Sequence, residues 1–501
     1  MTDPTPAAGS AIVIGAGFGG LALAIRLQSA GIATTLVEAR DKPGGRAYVW
    51  HDQGHVFDAG PTVITDPEAL KELWALSGQD MARDVTLLPV SPFYRLLWSD
   101  GKSFDYVNDG DQLEQQIRAF NPDDLEGYRR FHDYAEAVYQ EGYLKLGTTP
   151  FLKMGQMLNA APALVKLEAY RSVHSVVARF IKDPHLRQAF SFHTLLVGGN
   201  PFSTSAIYAL IHALERRGGV WFAKGGTNQL VAGMVALFER LGGRLMLNAK
   251  VARIETEGAR TTGVTLVDGR RLDAGMVASN GDVMHSYRDL LGQTRRGRTK
   301  AMILGKQRWS MSLFVLHFGL SEMPKGLAHH SVLFGPRYKE LVNEIFKGPK
   351  LPKDFSLYLH SPCVTDPSLA PPGMSTHYVL APVPHLGRAD VDWATEGPAY
   401  ADRILASLED RLIPNLRRNL TVQRIFTPAD FKSELSAHHG SAFSIEPILA
   451  QSAWFRPHNR DRSIRNFYIV GAGTHPGAGI PGVVGSAKAT AQVMLADRAQ
   501  A

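Results

Sequence analysis

The pattern of apolar and polar positions divides the chain into short buried strands, amphipathic helices and glycine-rich turns. Ala11–Ile14, Met276–Ser279 and Phe467–Val470 are short, largely apolar runs, which predict buried parallel strands. Thr34–Val37, Arg244–Leu247 and Val251–Ile254 read as further strands, and Asp268-Gly269 as a two-residue hairpin turn between Thr261–Val267 and Arg270–Leu272. Pro89–Tyr106, Ser310–Leu320, Phe355–Leu359 and Tyr378–Pro384 are also strand-like, predicting a second sheet that roofs a pocket. Helices are predicted after the first strand to about Ala30, over Asp111–Gly142, over Gln229–Leu241 with Gly242-Gly243 as the stop, and over Pro398–Ile413 before Pro414.

Phe151–Phe192 carries Met154, Leu158, Leu164, Tyr170, Val173 and Val177 at helical spacing. Between Lys153 and Arg187 six basic residues face only Glu168 and Asp183. Two readings stand: a helix face buried in the core, or a basic amphipathic region lying on a membrane. No segment supplies the ~20 apolar residues that cross a bilayer. The longest uncharged stretch, Gln188–Leu214, is interrupted by Gly198-Gly199-Asn200-Pro201.

Composition narrows the class. The chain has 501 residues, 45% hydrophobic and 20% charged, which excludes wholesale disorder and allows several domain-sized units. One cysteine, Cys363, excludes a disulfide scaffold, and no Cys/His spacing suggests a metal site, so no metal is expected. The lone cysteine and the absence of a signal-peptide pattern at Pro4–Ala8 predict a cytoplasmic protein, and Met1–Ser10 is expected to be disordered. The net charge of +7 is modest, but Arg288–Arg308 holds seven basic residues against Asp289. That run reads as a solvated loop or a contact for an anionic membrane surface. Nucleic acid is not expected, because no recognition pattern accompanies the run.

The first sixty residues carry the most specific chemistry. Gly15-Ala16-Gly17-Phe18-Gly19-Gly20 lies between a strand and a helix, and Glu38 follows 23 positions after Gly15. Gly15 allows the tight turn, Gly17 lets a pyrophosphate approach the backbone, and Gly20 lets the helix pack on the strand. The helix N-terminus offers free N–H groups to phosphate, and Glu38 suits ribose hydroxyls. Gly44-Gly45-Arg46 adds further backbone amides and a planar bidentate donor. Asp58-Ala59-Gly60-Pro61-Thr62 forms a turn. Near the C-terminus, Gly471-Ala472-Gly473-Thr474-His475-Pro476-Gly477-Ala478-Gly479-Ile480-Pro481-Gly482 follows a strand and leads into a small-residue helix expected from Val483.

These motifs resemble the flavoprotein amine oxidase superfamily. The C-terminal glycine run, with Gln188–Pro201, Ala381–His385 and Ala453–Arg460, resembles phytoene desaturases of the bacterial and fungal type over almost the whole length. The resemblance implies FAD, held by Gly15, Gly17, Gly20, Glu38, Gly44, Gly45, Arg46, Gly60, Pro61, Thr62, Val251, Gly473, Thr474, Gly482 and Val483. Arg46 would lie near the pyrophosphate, Gly60–Thr62 near the flavin ring, and the Val251 backbone at the adenine. The C-terminal helix would stabilise the anionic reduced ring. The flavin is expected to be non-covalent. The implied substrate is phytoene, dehydrogenated stepwise towards lycopene at a membrane surface, with quinone or oxygen as acceptor. No catalytic residue is assigned; Glu141 and His475 are weak candidates for a base.

The implied fold class is α/β. A discontinuous Rossmann-type FAD-binding domain (1–88, 215–287, 461–501) is joined to a sheet-containing substrate domain (89–145, 288–460) and a helical membrane-associating region (146–214). Alternatives are a sibling carotenoid desaturase or isomerase, an FAD amine oxidase, and a flavin-free prenyl-group carrier of the same fold.

Overall fold

The computed structural model describes residues 9–500; the expected disorder of Met1–Ser10 falls mostly on residues 1–8, outside them. Five parallel strands form the first sheet in the order Phe467–Ile469, Met276–Ser279, Ala11–Ile14, Thr34–Val37 and Arg244–Met246. Ala11 sits opposite both Met276 and Thr34. The sheet is therefore built from three separate stretches of chain, and its central strand is buried on both faces, as a parallel strand with helices above and below must be. Helices Phe18–Ser29, Thr227–Arg240 and Ile480–Ala499 pack together on one side through Leu21, Ala24, Leu230, Met234, Val484 and Ala487. Gly20 lets the first of these helices start close against the glycine turn: a Cβ there would overlap the Gly15 carbonyl oxygen.

The second sheet has seven strands, in the order Leu420–Phe426, Ser312–Leu320, Ser375–Val383, Leu357–His360, His330–Leu333, Tyr94–Leu97 and Ser103–Tyr106. It forms one wall of the pocket, as expected. The three-stranded antiparallel sheet Val251–Glu257, Arg260–Leu266 and Arg271–Asp273 contains the predicted hairpin.

Several boundaries differ from the sequence reading. The helix expected from Pro398 begins at Trp393, because the Asp392 side chain caps it through Ala394 N at 3.1 Å and Trp393 packs on Phe314 and Tyr400. The C-terminal helix starts at Ile480 rather than Val483, with Pro481 in its first turn, where a missing N–H costs nothing. The basic run is not a loop throughout: Arg295–Leu304 is a helix capped by the Thr294 hydroxyl through Gly297 N at 2.9 Å.

Phe151–Phe192 is three helices, Met154–Lys166, Val173–Phe180 and Pro184–Ala189, and its apolar stripe divides between the two readings. Val173 and Val177 are core. Met154–Lys166 buries Ala160 alone, and Leu158 and Val165 are 65% and 63% exposed. Leu144, Met154 and Tyr170 are also exposed close by in sequence. Among the described residues, no helix is long and apolar enough to cross a membrane.

The seven-stranded sheet contains many buried histidines. Loss of hydration pushes His317 down to about 4, and His329 and His377 down to about 3. These folded-state values lie below the ~6.5 of an unfolded histidine, so the unfolded chain takes protons first as pH falls. Their contribution to stability should be intact above about pH 7 and decline from about 6.5 towards 4. A thermal melt followed by circular dichroism across that range should show a falling midpoint; a flat midpoint would contradict the burial of these rings.

Candidate active site

A continuous cavity of about 530 Å3 runs from the glycine turn after the first strand into the space between the seven-stranded sheet and the helical layer. Its first end is assembled from Gly15, Gly17, Glu38, Gly44, Gly45, Arg46 and Val251, all of which line it. The Glu38 carboxylate accepts from Ala16 N at 2.8 Å and from Arg40 N at 3.0 Å, so it braces the glycine turn while facing the cavity. Each carboxylate oxygen has two lone pairs and retains capacity for a ribose hydroxyl. Gly44 N donates to Ala16 O at 2.8 Å, bringing the second glycine pair against the first. Ala249 N bonds Glu38 O at 2.7 Å, which places Val251 at the same end.

Arg46 supports anion binding here. Its Nε is enclosed without a hydrogen-bond partner, and burial lowers its pKa while Asp282 partly opposes this. Asp282 is raised by the same loss of hydration, and its Oδ2 is also without a partner. The unpaired Arg46 donor and Asp282 acceptor are costly to bury unless a ligand pairs with them. The residues present therefore fit a dinucleotide: backbone amides and an unsatisfied guanidinium for the pyrophosphate, and an acid for the ribose.

Gly60, Pro61 and Thr62 line the middle of the cavity, held from behind by two tyrosines. Tyr378 Oη donates to Gly60 O at 3.0 Å and lies 2.7 Å from Thr62 Oγ1, with Tyr358 Oη at 3.4 Å. Asp58 ties this turn to the helix Thr227–Arg240 by accepting from Thr227 N at 3.0 Å, and burial raises its pKa to about 6. Gly482 and Val483 line the cavity where the C-terminal helix begins.

Gly473 and Thr474 stand apart from the other expected residues. Neither lines the cavity: a Cβ on Gly473 would press on Val283, and the Thr474 hydroxyl is spent on Pro457 O. Their neighbours Ala472, His475 and Gly479 form the wall instead. Gly20 also stays behind the wall, doing the packing assigned to it. Of the two weak base candidates, Glu141 pairs with Lys145 at 2.7 Å and does not line the cavity. His475 does line it; its Nε2 meets Leu146 O at 2.8 Å, and burial lowers its pKa to about 4, so the ring is neutral.

The sequence reading missed four contributors. Asn280 follows the strand Met276–Ser279 and donates from Nδ2 to Gly15 O at 3.2 Å, and Cβ atoms on Gly17 or Gly19 would press on its amide. Arg456 braces the C-terminal turn from Nε to Thr474 O at 3.1 Å and from Nη2 to Ala472 O at 2.8 Å. Its place in Ala453–Arg460 was the available signal. Tyr358 and Tyr378 carried no signal beyond a strand pattern. Three buried histidines, His329, His330 and His360, have one nitrogen each within 4.8 Å of the others, and the rings of His330 and His360 stack at 22°.

The model of the flavin containing amine oxidoreductases matches residues 18–495. The chain belongs to that family. FAD is accordingly its cofactor. A phytoene desaturase (lycopene-forming) of Paracoccus sp. (strain N81106 / MBIC 01143) is 83% identical, with all of both chains aligned. One of Pseudescherichia vulneris, with the same description, is 64% identical over 97% of this chain and 99% of its own. The solved cyclohexylamine oxidase of Brevibacterium oxydans IH-35A shares the fold at a TM-score of 0.63 and 18% identity, covering 98% of this chain and 99% of its own.

Two substitutions test the cofactor end. Gly17→Val should purify without flavin, because the side chain fills the approach to the pyrophosphate and presses on Asn280. Glu38→Ala should retain flavin more weakly, by the ~1.5–3 kcal/mol of a hydrogen bond to a charged group. Flavin absorbance per protein and a fluorescence titration with FAD measure both, and equal flavin content in Gly17→Val and the parent would reject the assignment.

Proposed function

We propose that the chain is an FAD-dependent phytoene desaturase that dehydrogenates phytoene stepwise towards lycopene. The carrying observation is the contrast between the two ends of the cavity. Charged side chains gather at the nucleotide end, whereas the other end is walled by Leu195, Leu196, Ile211, Met311, Leu313 and Val315. A polyene hydrocarbon has no polar handle, so its binding rests on apolar burial at ~25 cal/mol per Å2. The similarity to lycopene-forming phytoene desaturases over the whole chain supports the same reading.

Bound FAD supplies a two-electron hydride acceptor. The chain's own residues hold the reacting bond beside it and exclude water. Thr62, fixed by Tyr358 and Tyr378, sets the turn expected to face the flavin ring, and the apolar walls keep a cationic intermediate from solvent. The neutral His475 ring adds no competing positive charge.

The substrate dissolves in lipid, and the surface supports docking on the cytoplasmic face of a membrane. Leu158 and Val165 point outward from the helix Met154–Lys166, while Leu164 of the same helix lines the cavity. Phe455 is exposed on a segment that packs against this helix. Met302 and Ile303 are exposed on the basic helix Arg295–Leu304, whose Arg295, Arg296 and Arg298 face solvent. Electrons are then passed on to a quinone or to oxygen.

Incubation with FAD and phytoene-loaded liposomes should yield lycopene, identified by chromatography; unchanged phytoene would reject the function. Changing Arg295, Arg296, Arg298 and Lys300 to Gln should weaken binding to anionic liposomes at low salt, at ~1 kcal/mol per charge near the surface. Leu158→Asp with Val165→Asp should lower binding at all salt concentrations. Identical partitioning of parent and both variants in a flotation assay would remove these surfaces from the reading.

A further inference from the structure

Among the described residues lining the cavity, Glu215 is the one formally charged side chain away from the nucleotide end. It is the first charge after the neutral stretch Gln188–Leu214 and lies on the helix Leu210–Gly218, fully buried. A carboxylate in the wall of a hydrocarbon site is expensive to bury and does nothing for the affinity of an apolar substrate. Its surroundings hold it in place without using it up. Tyr94 Oη donates to Oε1 at 2.7 Å. His193 Nε2 lies 3.1 Å from Oε2, but off the alignment of a hydrogen bond, so Oε2 has no hydrogen-bond partner.

The helix of Glu215 also leads to the turn expected to face the flavin. One turn further along its helix, Gly218 packs so tightly that a Cβ would come within 2.6 Å of Thr65 O, and Trp221 N then bonds Ile64 O at 2.8 Å. The helix is thus anchored directly beyond Thr62.

We infer that Glu215 is a catalytic residue of the desaturation, the base that receives the proton lost from the carbon next to the hydride donor. The inference rests on the reading of the cavity as a carotene site. In each step one C–H bond breaks with its electron pair leaving as hydride to the flavin, and an allylic cation remains on the hydrocarbon. The neighbouring C–H bond then gives its proton to Glu215 Oε2, forming an O–H bond, and its electron pair becomes the new C=C bond. The hydrocarbon is oxidised by two electrons, the flavin is reduced by two, and the proton returns to water before the next step. Before the proton moves, the carboxylate in its low-dielectric wall stabilises the cation electrostatically. Tyr94 and His193 are positioning residues.

The test uses the FAD-loaded enzyme. Glu215→Gln should keep its flavin and should bind lycopene as the parent does, read from the shift in carotenoid absorption. Its anaerobic single-turnover formation of the desaturated carotene, read by chromatography after quenching, should fall at least about a hundredfold, the usual lower range for a lost general base. Phytoene deuterated at the proton-yielding carbon should show a larger isotope effect in Glu215→Gln than in the parent, because proton loss becomes the slow step. Glu215→Asp, which keeps the carboxylate, should retain more of the rate than Glu215→Gln. Product formation at the parental rate, or a loss of rate with unchanged isotope effect and a matching loss of lycopene binding, would make Glu215 a wall residue and overturn the inference. A parent enzyme that leaves phytoene unchanged would instead overturn the carotene reading itself.

Discussion

The site depends on one close approach, the seating of the Asn280 side chain among glycines from both ends of the chain. Its amide donates to Gly15 O, and Cβ atoms on Gly19 or Gly471 would overlap its Oδ1. The N-terminal glycine turn, the strand Met276–Ser279 and the C-terminal strand Phe467–Ile469 therefore meet around a single planar group. A larger side chain at any of these glycines would separate the strands and widen the cradle.

The parts that were legible in the sequence were those where a residue type has few uses. Gly15, Gly17 and Glu38 occupy their expected places because the turn, the approach and the acid are each tied to the backbone at short range. Asn280 was not legible, since one amide after a strand is common and its partners lie 265 residues away. Gly473 and Thr474 illustrate the opposite case. They belong to a specific motif, but a turn must face both ways, and these two residues face Val283 and Pro457 rather than the cavity. The apolar stripe from Phe151 could not be assigned from spacing, because a face packed in a core and a face exposed to a non-aqueous surface have the same period. Only the burial of Val177 and the exposure of Leu158 separate them.

The electrostatic layout of the cavity matches the division of labour between its ends. Arg46, Asp282 and Glu38 leave polar capacity unspent where a pyrophosphate and ribose would use it. Past Gly60, the hydroxyls of Tyr358 and Tyr378 are turned onto Thr62 and the backbone, so these polar atoms are consumed within the protein. A substrate without polar groups then meets a mostly apolar wall, with Glu215 its one formal charge away from the nucleotide end.

The helix Met154–Lys166 carries a further consequence. With Leu164 inside, Leu158 outside and Ala160 alone buried, the partition between the cavity and its surroundings is one helix thick. On the proposed docking to a membrane, a long hydrocarbon crossing it would exchange one apolar neighbour for another and never have to be lifted into water. Its encounter with the enzyme would then be governed by its mole fraction in two dimensions rather than by its amount per volume, so that adding empty lipid at constant substrate would dilute the substrate as effectively as adding water dilutes a sugar.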